Sequence, residues 1–95
     1  LFPMAIIAIQ YEYDATKLDT IAENRPLHRA HLKELKEAGK LLASGPLGSN
    51  GALLVVVADD PEAGLNVLAN DPFLALGVIE SRLARVWNPV IGPWQ

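Results

Sequence analysis

The chain has 95 residues, 51% of them hydrophobic and 20% charged, with eight Lys and Arg against eleven Asp and Glu, a net charge of −3 and a pI near 5.2. That length provides for one domain with one core, and so small a domain buries a modest share of its surface, so self-association would help it. The charge excludes the positive field that attracts phosphate backbones, the lack of cysteine excludes disulfides and thiolate sites, and the longest apolar runs, such as Ala52 to Ala58, are too short to cross a bilayer.

Neither nucleic acid nor membrane is therefore expected as a partner, and with no signal-peptide pattern the expected location is cytoplasmic. Leu1-Phe2-Pro3 come before the first methionine and before any apolar alternation, so they read as a remnant outside a domain spanning residues 4–95. Met4 to Tyr13 is rich in β-branched and aromatic residues and turns polar at Asp14, which predicts a largely buried first strand. Asp14 to Asn24 reads as a loop or a short irregular helix.

Asn24-Arg25-Pro26 predicts a helix start, because proline fits the first turn, and Gly39 supplies the stop. At about 100° per residue, Leu27, Ala38, His31, Leu35, His28 and Leu32 share one sector, with Arg29, Lys33, Lys36 and Glu37 opposite. Both histidines are thus predicted to face inward. Lys40 to Ser44 reads as a second strand, Gly45 to Gly51 as a hairpin turn, and Ala52 to Ala58 as a central strand covered on both faces.

Asp59-Asp60-Pro61-Glu62 opens a second helix running to Asn70, which Asp71-Pro72 ends. Val78 to Trp87 alternates with Ile79, Leu83 and Trp87 on one side, a half-exposed strand, and two prolines keep Asn88 to Gln95 from being regular helix. The order predicts an α+β, ferredoxin-like βαββαβ domain, an antiparallel sheet with two helices on one face. A second copy packed sheet to sheet is the expected cover for the other face.

His28 and His31, spaced i, i+3, admit three readings: a transition-metal pair, buried histidines satisfied by backbone, or general acid–base catalysis, for which a pKa near ~6.5 is well placed. The metal reading lacks further ligands at the usual spacings, so neither a metal nor another cofactor is expected. Asp71 is the natural carboxylate partner for His28, or else an ordinary turn residue. Gly45-Pro46 and Gly51 are structural or line a pocket, Ser44 has no signature of an activated nucleophile, and the aromatics Tyr11, Tyr13, Trp87 and Trp94 suit core or interface more than a site wall.

Arg25-Pro26-Leu27-His28, Glu37-Ala38-Gly39-Lys40-Leu41-Leu42, Ser44-Gly45-Pro46, Gly51 and Asp71-Pro72-Phe73, in that order and spacing, resemble the YciI-like (YCII-related) family. The resemblance implies a dimeric α+β barrel with an active site centred on His28 and Asp71. It also implies a substrate-binding role for Arg25, Ser44, Gly45 and Pro46, with Arg25 holding an anionic group or capping a loop, and gives His31 little weight. The activity it implies is cofactor-free lyase or isomerase chemistry, of which dehydrochlorination of a chlorinated hydroxyhydroquinone is one form. A non-catalytic, ligand-binding or accessory homodimer is the alternative.

Overall fold

Alternation along the first strand decides which side of the sheet is inside. In the computed structural model, which describes residues 4–94, strand β1 runs Ala5–Tyr13, and Ile7, Ile9, Tyr11 and Tyr13 are buried while Gln10 and Glu12 are exposed. The remnant assigned to residues 1–3 and the last residue of the expected domain lie outside the described residues. β1 pairs antiparallel with both β3 (Gly51–Ala58) and β4 (Ile79–Trp87), and β3 pairs antiparallel with β2 (Leu41–Pro46). The sheet order is β2-β3-β1-β4, so the continuous apolar run of β3 is central, as expected.

Helix α1 spans Leu18–Glu37, after a 3₁₀ turn at Ala15–Lys17. It therefore begins eight residues before the expected start at Pro26, which sits inside it. The reason is burial: Ile21, only 1% exposed, packs into the core from the segment that composition alone leaves polar and ambiguous. Asn24 adds a side-chain hydrogen bond to the Thr20 carbonyl beside the turn that Pro26 interrupts.

Helix α2 (Pro61–Val67) is capped by Asp60, whose carboxylate accepts from the Ala63 amide. It lies close to β1 because Gly64 has no side chain; a Cβ there would be 2.9 Å from Ile7 Cγ2. The helix ends at Val67 rather than Asn70, and Asp71-Pro72 starts another short helix, α3 (Pro72–Ala75), instead of only ending one. The residues that pack between sheet and helices include Ile7, Ile9, Leu54, Val56, Leu68 and Phe73, all fully buried. Side chains of this kind contribute about 1.5–3 kcal/mol each on burial.

A bulge in β4 alters the expected alternation. The register shifts between Glu12 and Tyr13, so Tyr13 faces Ile79 while Glu12 faces Ser81. Ile79 consequently packs on the core, whereas Leu83 and Trp87, opposite Gln10 and Ile6, stay on the open face, 51% and 41% exposed. Among the described residues no helix is long and apolar enough to cross a membrane.

Candidate active site

Asp71 does two jobs with one oxygen. As N-cap of α3 its Oδ1 accepts the Phe73 amide at 3.1 Å, the satisfied end that an Asp-Pro helix start provides. The same Oδ1 lies 2.8 Å from Nδ1 of His28. On the other side, Oδ2 accepts the Tyr11 hydroxyl at 2.9 Å. The carboxylate is 1% exposed, yet both its oxygens are engaged, which is what makes its burial tolerable.

Burial by itself raises the Asp71 carboxyl. The hydrogen bonds from His28 and the Phe73 amide, the charge of the imidazole and the Tyr11 hydroxyl together outweigh it and hold the group below the ordinary carboxylate range. An ionised Asp71 requires Nδ1 of His28 to carry the proton it donates. In the neutral ring the lone pair is then on Nε2. Nε2 has no protein partner among the described residues, and His28, although 6% exposed, borders a cavity.

The imidazole is also held from its flat side. It stacks on Phe73 with ring centroids 4.1 Å apart and planes 8° from parallel, and Tyr13 meets Phe73 edge-on at 5.6 Å. Phe73 is fully buried, so the stack is set by the core rather than by solvent-exposed side chains.

The cavity measures about 320 Å³. Helix α1 presents Arg25, His28, Arg29 and Leu32 to it, spaced i, i+3, i+4, i+7 along one side. Across from them are Ser44, Gly45 and Pro46 of β2, Gly51, Ala52 and Leu54 of β3, and Tyr13 of β1. All four residues expected to bind substrate, Arg25, Ser44, Gly45 and Pro46, therefore line the same space as His28. Gly45 and Pro46 do so from within strand β2, not from a turn.

Residues 4–88 match the YCII-related domain. The chain belongs to that family. No curated protein matches it. Among solved structures it is similar to the 5-chloro-2-hydroxyhydroquinone dehydrochlorinase (TftG) of Burkholderia phenoliruptrix AC1100 in complex with 2,5-dihydroxybenzoquinone, at 22% identity and a TM-score of 0.73, over 87% of this chain and 93% of that one. At that identity the likeness concerns the fold, and it agrees with the α+β arrangement of four antiparallel strands and packed helices.

In this YCII-related domain the two histidines of α1 part company. His31 is half-buried, and its Nε2 is enclosed without a hydrogen-bond partner. Among the described residues no group of three or more His, Asp or Glu side chains is placed to hold a metal. Sequence reasoning did not connect Tyr11 to Asp71, and it placed Arg29 on the face opposite His28. Strand alternation carried a signal for the first, since Tyr11 and Tyr13 share the inward phase of Ile7 and Ile9. Arg29 had none, because a residue about 100° round from His28 falls in or out of a cavity according to where the neighbouring strand lies.

Proposed function

We propose that the protein is a small cofactor-independent enzyme, a lyase that eliminates a leaving group such as chloride from a hydroxylated aromatic ring. The observation that carries this reading is the orientation of His28: Asp71 occupies Nδ1, and the ring borders the cavity with Nε2 uncommitted. His28 Nε2 takes a hydroxyl proton from the ring. The electron pair left on oxygen forms one carbonyl, and the proton of a second ring hydroxyl moves to the carbon bearing chlorine; that second oxygen's pair then forms the other carbonyl as the C–Cl bond breaks with its pair going to chloride. The organic product is at the quinone level and the net loss is HCl, so no external oxidant is needed.

Arg25 borders the cavity and is suited to stabilise the developing negative oxygen. Ser44, Gly45 and Pro46 form the wall against which the ring rests. Support for the substrate class comes from the similar dehydrochlorinase, whose structure holds a dihydroxybenzoquinone. We further read the active form as a homodimer packed through the open sheet face, where the exposed Leu83 and Trp87 need cover.

The test is chloride release and product analysis with chlorinated hydroxyhydroquinones. Replacing His28 by Asn is expected to lower turnover by roughly 100- to 10,000-fold. Unchanged turnover in that variant would reject the mechanism, and tight binding with no product would favour an accessory, ligand-binding role.

A further inference from the structure

The His28 cavity is charged in one sense only. Arg25 and Arg29 border it and no carboxylate does, although acidic residues outnumber Lys and Arg by eleven to eight in the chain. A second cavity, of about 340 Å³, shares Arg29, Leu32 and Ser44 with the first and continues along α1 past Lys33 and Lys36, again without a carboxylate. Residues 25, 29, 33 and 36 follow one another at four, four and three positions, so they form a row on the flank of α1 that faces β2. β2 is an edge strand, which leaves this side of the groove open to a ligand.

None of these four cations forms an ion pair among the described residues. Arg25 and Arg29 also both act on the Tyr13 hydroxyl: burial and the Asp71 charge push its proton affinity up, and the two guanidiniums oppose them. Two guanidiniums thus act on one ring of the cavity wall, and the carboxylate that acts on the same hydroxyl, Asp71, is already engaged by His28, Tyr11 and the Phe73 amide. Neither guanidinium has a carboxylate partner among the described residues, and an anionic ligand in the cavity would supply one.

We infer that the substrate of this site is an aromatic acid, its hydroxylated ring at His28 and its carboxylate at Arg29, where the two cavities meet. Arg29 is the specificity-determining residue, and Lys33 and Lys36 draw the anion along the groove. A volume near 320 Å³ takes one substituted ring. The charged group is therefore small and planar, the shape a guanidinium fork grips in two hydrogen bonds. This inference rests on the His28 cavity being the substrate site.

Calorimetric titration of the full chain with hydroquinone and with 2,5-dihydroxybenzoate, two rings that differ by one carboxylate, tests it. The acid is expected to bind at least roughly tenfold more tightly at low salt, and raised salt should weaken the acid alone. Arg29→Gln should remove most of the preference and Arg29→Lys should keep part of it. Equal binding of the two rings, no binding of the acid, or an unchanged preference in Arg29→Gln overturns the inference. Neither probe carries a leaving group, so the titration stands whether or not elimination is found. Elimination abolished in His28→Asn but with no acid preference would leave the proposed reaction intact and remove only this assignment.

Discussion

The Tyr11 hydroxyl donates to the Asp71 oxygen that His28 leaves free, at 2.9 Å and across 60 residues of sequence. Replacing Tyr11 by Phe keeps the ring and strands that oxygen inside the core. The expected cost is about 1–3 kcal/mol of stability, the usual cost of an unsatisfied buried acceptor, read from urea unfolding. The phenol has a second signature. Burial first, then the Asp71 charge and hydrogen bond, raise its pKa in the folded state. Its contribution is therefore complete below the unfolded value of about 10 and is lost as pH rises beyond it. Tyr11→Phe should unfold less steeply than the parent above that pH, and identical alkaline limbs would count against the assignment.

Asp71 sets the acid limb. Its folded pKa is held below the ordinary value, so its contribution is present above the unfolded pKa of about 3.9 and disappears as pH falls through the lower folded value. Asp71→Asn should be less stable near neutrality and should lose less on acidification. Urea midpoints at pH 6 and pH 3 for both proteins check this. A variant as acid-sensitive as the parent would show that other carboxyls carry the effect.

Gly51 ties the sheet to the site. A Cβ at this position would lie 2.5 Å from the Tyr11 carbonyl oxygen and 3.3 Å from that of Leu47, both backbone atoms that cannot swing aside. Gly51→Ala is expected to destabilise the protein by about 1–3 kcal/mol. Relief of the clash displaces β1 beside Tyr11, so affinity for any cavity ligand should fall too. Wild-type stability in this variant would mean that the two strands have more freedom than their pairing indicates.

Pro26 lies in the middle of α1, where it gives no amide to the Ala22 carbonyl. An interior proline costs about 3 kcal/mol, partly offset by up to about 1 kcal/mol from the stiffer unfolded chain. Pro26→Ala should therefore raise stability by roughly 2 kcal/mol and Tm by several degrees. A lower Tm would indicate that the proline sets the pitch of the turn that aims His28.

Unlike the short helix α3, the inward turn of His28, the place of Asp71 after α2, and the order of the strands and of the two longer helices were legible in the amino-acid sequence. Each is a periodic or terminal property of one segment, and hydrophobic phase and capping residues state such properties locally. The start of α1 was not, because a proline that ordinarily opens a helix was outweighed by the burial of Ile21 five residues earlier. The bulge that turns Ile79 inward was hidden for a similar reason, since it exists only in the pairing of β4 with β1.

The sequence by itself therefore determined that an imidazole would point into this small α+β domain, and it offered Asp71, after the second helix, as either the natural carboxylate partner or an ordinary turn residue. Only the tertiary structure decided that they meet at 2.8 Å, that Tyr11 takes the second carboxylate oxygen, and that Arg29 joins Arg25 at the cavity. Contacts between side chains of different elements depend on how helices seat on a sheet, and that seating is fixed by packing across the whole core, at distances no local period encodes.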